Sequence, residues 1–397
     1  MASIITLAID GWRHAPVYSN HTILLNFLLF TFLVAGAWHL LRGSGWVRYF
    51  ADVRPVGRML LLIMYAFGIF HKINSDFLDP LSSCAVVLWR EMPPPFVWID
   101  TPLMDYLAIY GTFAVEGIIM LMLIVPRWRH WGICTGMGFH SVLALSGFAM
   151  YPVFTTLAIT LHIMFISPDV ALRITRSDSF CRLDSFLRRP AGVAFLVVAM
   201  GLIAIYAALG DYRMVAFVWF LVAAWPLVII AFGGTGPNMP DKSVRQLWSG
   251  PVLLNTIPLL FFMNCASPYL GIKTAQSMNM FSNLRVEGGV SNHLIFSKAL
   301  ISPSYIEDVV YVTDAQGSQM LERASKISDR GHVYYQFLSA LENEPPEARV
   351  SYVRGNAVIS LAPVAEILAR DREMLHSAWI RKILHFLPVK LEVRQSC

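Results

Sequence analysis

The feature that most constrains this chain is a series of long apolar blocks separated by short polar loops. The blocks lie near 22–41, 57–73, 103–125, 131–148, 150–167, 191–209, 213–233 and 250–269. A helix needs about 20 apolar residues to cross the hydrocarbon core of a bilayer. The pattern therefore predicts an all-α polytopic membrane helix bundle of about eight spans, occupying residues 1–269. The second block has a short apolar centre. The fourth is glycine-rich, with Gly132 and Gly136 one turn apart, a spacing that lets helices approach closely. Composition agrees, since 56% of the 397 residues are hydrophobic and only 14% charged, against about 25% charged in a soluble domain. A formal charge of +5 is too modest to imply nucleic-acid binding.

The basic residues fall in alternate loops. Arg42, Arg48 and Arg54, with Arg58 just beyond, lie in the first, Arg127 and Arg129 in the third, Arg173 to Arg189 in the fifth, and Lys242 and Arg245 in the seventh. Cytoplasmic loops carry an excess of Lys and Arg. That alternation puts these loops in the cytoplasm and both termini, with the segment after Lys72, on the outer side. The N-terminus has no basic leader, and Asp10 interrupts its apolar run, so no signal peptide is expected.

From about residue 270 the composition changes. Asp308–Thr313 and Arg349–Val353 alternate as strands do, and Tyr334–Leu341 and Pro363–Leu387 read as helices. Residues 270–397 are thus expected to form a small C-terminal α+β extramembrane domain. None of the five cysteines forms a CxxC pair, and no histidine spacing is that of a metal site. The topology puts Cys84 and Cys265 on one side and leaves open whether they pair.

Ionisable groups inside a bilayer are costly, so each invites a functional reading. His71 and Lys72 end the second block, with Asn74, Asp76 and Asp79 just beyond it. Lys72 either snorkels to headgroups or, held in an apolar cavity, loses its charge and serves as a base. A helical Asp76 would oppose the second reading by stabilising the cation. Glu116 lies mid-span and is either protonated or paired within the bundle. His140 and His162 are core hydrogen-bonding groups or catalysts, and the structural reading is favoured for His162. In segment 273–296, Gln276, Asn279, Asn283, Arg285, Glu287, Asn292 and His293 surround Gly288-Gly289. The glycine pair predicts a tight hairpin. The polar density is either a binding surface, with Asn283, Arg285 and His293 on it, or a satisfied turn.

At these residues the chain resembles the vitamin K-dependent γ-glutamyl carboxylase family and its bacterial relatives, the horizontally transferred transmembrane (HTTM) domain proteins. The resemblance is carried by GIFHKINSDFLDP (residues 68–80), the Glu116 span, Phe139-His140, Gly147-Phe148, Ser167-Pro168 and Ser277–Met280, in that order along the chain. It implies a reduced quinone, a vitamin K-like hydroquinone, as a lipid-soluble reactant. Lys72 would be the base that deprotonates it, with His140 supporting and His71, Asn74, Asp76 and Glu116 around them. In that family the resulting anion reacts with O2, and the strong base formed abstracts a γ-proton from glutamate before CO2 is added. A peptide or protein substrate, a bacterial inner membrane and an outer-facing C-terminal domain are implied in the same way. The chain departs from the animal enzymes in having Asn283 where they have histidine, and in having only a short region after the last block. The rival readings are a non-enzymatic scaffold or partner subunit presenting its outer domain, and a small-molecule transporter using Glu116 and the histidines.

Overall fold

A computed structural model describes residues 19–43, 45–146, 148, 151–233, 247–301, 304–327, 329–375 and 383–390. The expectations made for the N-terminal run, Gly147, Lys242, Arg245 and residues 376–382 lie outside the described residues, and the helix expected over Pro363–Leu387 is corrected to a short one, Val364–Arg370, with 384–387 irregular. The chain divides into two compact units. One comprises Leu24–Ile69 and Ala85–Phe261. The other takes in the described parts of Ile9–Ile23, Phe70–Cys84 and Phe262–Cys397. The segment that carries Lys72 therefore folds with the C-terminal residues.

The first unit is built from apolar helices. The long ones are α1 (Asn20–Leu41), α2 (Trp46–His71), α5 (Pro102–Ile124), α10 (Pro190–Ala208) and α11 (Tyr212–Gly233). Two short helices follow α2, namely α3 (Ser75–Leu78), which belongs to the second unit, and α4 (Cys84–Arg90), while α6 (Arg129–Ala144), α7 (Tyr151–Ile163), α8 (Pro168–Arg176) and α9 (Asp178–Leu187) follow α5. Helix α12 is Val252–Ala266. Among the described residues, five helices are long and apolar enough to cross a bilayer, or six if α7 and α8 count as one bent span. That is the profile of a multi-pass membrane protein.

Of the about eight expected spans, five or six are met by length and composition among the described residues. All eight blocks are helical, but three of the helices are short. At 1.5 Å per residue, the 16 residues of α6 and the 15 of α12 rise about 24 and 22 Å, below the ~30 Å core. Helix α7 has 13 residues, and the chain then turns by 111° into α8. Ser167 caps α8 by accepting from the Val170 N–H, with Pro168 at its first turn. Hydropathy alone does not see a bend of this kind. Five is odd and six is even, so the parity argument that put both termini on one face no longer follows.

The first basic loop is also corrected. Arg48, Arg54 and Arg58 lie inside α2, and Arg58 is buried. Arg58 Nε donates to Met164 O at 2.8 Å, Arg54 Nε donates to the same carbonyl at 3.3 Å, and Arg54 Nη2 donates to Ile166 O. The carbonyls freed where α7 ends receive charged donors from the neighbouring helix, which is what a helix end inside an apolar unit requires.

In the second unit the C-terminal residues form α13 (Ser304–Glu307), β1 (Val309–Gln316), α14 (Gln319–Ser325), β2 (Gly331–Val333), α15 (Tyr334–Leu341), β3 (Arg349–Arg354), β4 (Ala357–Pro363) and α16 (Val364–Arg370). The strands make one antiparallel sheet in the order β2-β1-β3-β4. Strand alternation buries Val310 and Val312 of β1 and Val350 and Tyr352 of β3. Helix α15 adds Tyr334, Phe337, Leu338 and Leu341, one stripe at helical spacing. Val364 and Ile367 of α16 close the core. Both strands and α15 lie where the sequence pattern puts them. Cys84 is disulfide-bonded, and Cys265 is a free buried thiol, so the two do not pair.

Candidate functional site

The predicted residues fall into two buried polar clusters, one in each unit. In the helical unit, His140 on α6, His162 on α7 and Tyr65 on α2 meet. Tyr65 Oη lies 2.9 Å from His140 Nε2 and 3.2 Å from His162 Nε2. His162 Nδ1 is 2.7 Å from the Ala158 carbonyl, which can only accept, so that nitrogen carries the hydrogen. With that hydrogen on Nδ1, the neutral His162 ring accepts at Nε2 from the Tyr65 hydroxyl, and His140 Nε2 then donates to the same oxygen. The donors run in one direction, from His140 through Tyr65 to His162.

Glycine makes room for this chain. A Cβ on Gly136 would lie 2.0 Å from His162 Nε2, and one on Gly132 would lie 2.9 Å from the Leu123 N atom of α5. The two glycines of the fourth block thus serve close approach, one to an imidazole and one to a helix backbone. Half-buried Glu116 lies within electrostatic reach of Tyr65 and Tyr151. Nothing in the sequence reading had singled out Tyr65. Its signal was spacing, because it sits on the turn before Gly68 on the same block as His71.

The second unit holds the rest of the predicted set. Its segment 273–296 is buried along most of its length yet forms no helix or strand. Buried backbone of this kind must find partners outside regular ladders. His71, fully buried, donates from Nε2 to Ser277 O at 3.0 Å and accepts at Nδ1 from Tyr269 Oη at 2.8 Å. Asn74 donates to His71 O and Ser282 O at 2.7 and 2.6 Å. It also caps α3 by accepting from the Phe77 N–H at 2.8 Å. Asn283 accepts from Cys84 N at 2.8 Å and donates to Ser82 O at 2.9 Å. Asn292 accepts from Arg285 N at 2.9 Å and donates to Asn283 O at 2.8 Å. His293 donates from Nε2 to Phe70 O at 2.9 Å, and its Nδ1 accepts from the Ile295 and Phe296 N–H groups. Arg285 Nη1 donates to Lys390 O at 2.5 Å.

These bonds hold an unusual backbone. Gln276, Met278, Phe281 and Asn283 all have φ between 56° and 61°, the left-handed region that costs a residue with a Cβ. Gly288 and Gly289 both take positive φ, as a tight turn needs, but no strands flank them. The expected hairpin is instead an irregular loop closed by the Asn292 side chain. Asn283, Arg285 and His293 are therefore brought together, and each is engaged in holding the fold.

The same unit holds two buried lysines. Lys72 has only 6% of its surface exposed, and its Nζ lies 5.9 Å from the centre of the Phe77 ring. Asp76 is also buried, and its Oδ1 accepts from the Ser75 hydroxyl at 3.0 Å. The sequence reading missed Lys273, which is 8% exposed. Burial pushes its amine down to about 8, while the Cys265 thiol acts weakly in the other sense. Burial raises the Glu287 carboxyl, opposed by the Thr274 hydroxyl and backbone N–H donors. Lys273 followed an apolar block as Lys72 did, and that was the signal available for it.

Comparison with family models, curated protein sequences and solved structures finds no match. The resemblance to the carboxylase family rests on the sequence motifs.

Proposed function

We propose that the protein is a carboxylase-like membrane enzyme in which Lys72 takes a proton from a lipid-soluble hydroquinone. The observation that carries this reading is the burial of the Lys72 amine immediately after the 26-residue helix α2. A reactant dissolved in lipid reaches the end of an apolar helix without crossing water. The phenolic proton passes to the amine, and the hydroquinone anion is left to react with O2. CO2 and a glutamyl substrate are the further reactants that the family resemblance implies. His71 and Asn74 support this role by fixing the chain on either side of Lys72.

The test is turnover of the full-length protein in nanodiscs with a reduced quinone, O2 and labelled bicarbonate. Lys72→Ala is expected to lower quinol oxidation at least 100-fold, an effect of the size general-base catalysis supplies. Unchanged turnover in the variant rejects the base, and no turnover in the wild type rejects the reaction.

A scaffold presenting its C-terminal domain is the second reading. It is favoured by the structural engagement of Asn283, Arg285 and His293. It expects a copurifying partner whose capture survives Lys72→Ala.

A further inference from the structure

The stretch between α7 and α10 carries five arginines that the reading above does not use. The chain turns by 111° from α7 into α8. Helices α8 and α9 have 9 and 10 residues, about 14 and 15 Å of rise, too short to cross the ~30 Å hydrocarbon core. Both are two-sided. Val170 and Ile174 of α8 are buried and Phe180, Leu183 and Leu187 of α9 half-buried, while Arg176, Arg182, Arg188 and Arg189 are exposed. Short helices with one apolar face and one basic face lie in the boundary between hydrocarbon and water.

The exposed face of α9 bears an open cavity of about 550 Å³, lined by Asp178, Cys181, Arg182, Ser185, Phe186 and Arg189. These positions recur at helical spacing and form one stripe. One end of the stripe is pressed against the start of α10. A Cβ on Gly192 would lie 2.2 Å from Phe186 O, and the Phe186 and Phe195 ring centres are 6.3 Å apart. Arg189 is the cap residue before Pro190, where the 19 apolar residues of α10 begin. The cavity therefore opens at the end of a helix long enough to cross a bilayer, the level at which lipid headgroups lie.

Its charge is unbalanced. Arg188 pairs with Asp184 at 2.8 Å and stands outside the cavity. Arg182 Nε donates to the Asp178 carbonyl at 3.4 Å. Among the described residues, the Arg182 Nη groups and the Arg189 guanidinium make no further bond. Two guanidinium groups against one carboxylate, Asp178, leave the cavity net positive. Guanidinium binds phosphate oxygens through paired N–H donors. Ser185 lies between the two arginines in the stripe and adds a hydroxyl, and Phe186 gives an apolar wall on the side of α10.

We propose that the exposed face of α9 binds the headgroup of an anionic phospholipid, with the phosphate held between Arg182 and Arg189 and the acyl chains running along α10. The site is separate from Lys72 and does not depend on a hydroquinone.

The experiment uses the full-length protein in phosphatidylcholine nanodiscs doped with a phosphatidylglycerol that carries a photoreactive diazirine on its headgroup. Adducts are mapped by peptide mass spectrometry. Residues 178–189 are expected to take about tenfold more label than residues 209–213, which join α10 to α11 and whose Arg213 is already paired with Glu91 at 3.0 Å. Arg182→Gln combined with Arg189→Gln should cut the label at 178–189 about tenfold, the order that two arginines at an anionic surface supply, and leave that at 209–213 unchanged. The comparison between the two stretches is made within one wild-type sample, so it stands even if the variant fails to fold. Excess unlabelled phosphatidylglycerol should displace the label, and soluble glycerol phosphate should not. Equal labelling of the two stretches, a double variant that keeps its label, or displacement by glycerol phosphate as readily as by the lipid overturns the assignment.

Discussion

Buried polar side chains do different work in the two units. In the helical unit most of the backbone is satisfied within the helices, Arg54 and Arg58 serve the carbonyls after α7, and Tyr65, His140 and His162 bond with one another. In the second unit the chain from 273 to 296 has no ladder of its own, and His71, Asn74, Asn283, Asn292 and His293 bond to its peptides and to those of residues 70–84. The same residue types thus serve as a side-chain relay in one place and as a substitute for secondary structure in the other. A buried histidine or asparagine is therefore a poor guide to chemistry in the second unit, and the lysines there are the better one.

The largest effect should come from breaking the second pattern. Asn74→Ala removes one side chain that serves two buried carbonyls and one N–H. Each buried group left without a partner costs about 1–3 kcal/mol. The variant should lose at least about 4 kcal/mol of stability, read as a lower midpoint of thermal unfolding and as proteolysis within 70–84 and 273–296. A loss of about 1 kcal/mol would mean that the lattice does not hold this backbone.

Lys273→Met tests whether an amine in this unit stands outside that lattice. The folded protein holds this group at about 8, against an ordinary 10.5. Between those values the unfolded chain binds more protons, so wild-type stability rises with pH across the window. Below pH 8 the buried ammonium carries the full penalty, on the order of 3 kcal/mol at 1.36 kcal/mol per unit. The methionine variant should be more stable by that order below pH 8, and the gain should shrink as pH approaches 10.5. A destabilised variant at pH 6 would show that the amine is a structural donor after all.

What was legible in the sequence follows the same division. Apolar periodicity gave the helices, and strand alternation gave β1, β3 and α15, because those signals are local. Helix lengths were less legible. A break such as the one after Ile163 depends on Arg54 and Arg58 reaching its carbonyls from another helix. Lys72 and His140 were visible as costly groups in apolar blocks. Tyr65 and Lys273 were not, since a tyrosine in an apolar block and a lysine beyond one look ordinary until their neighbours are known. The polar run 273–296 was visible as a cluster, but its division of labour depends on segment 70–84, about 200 residues away in the chain.

The smallest effect, and the sharpest comparison, is expected from Tyr65→Phe. The phenyl ring fills the same space and removes one hydroxyl, so packing is conserved. Two imidazole nitrogens lose a shared partner, but no backbone group does. The cost should be about 2 kcal/mol, half or less of that for Asn74→Ala. The Ala158 carbonyl still accepts from His162 Nδ1, so His162 should keep its tautomer. His140, which donated to the lost oxygen, should not be held in its own. Nitrogen NMR of labelled histidine separates the two rings. If His140 keeps one tautomer in the variant, its orientation is set by its surroundings, and Tyr65 is a bystander between two independently held histidines. If His140 alone becomes mixed, the hydroxyl is what couples α6 to α7, and the donor chain is a working unit of the helical half.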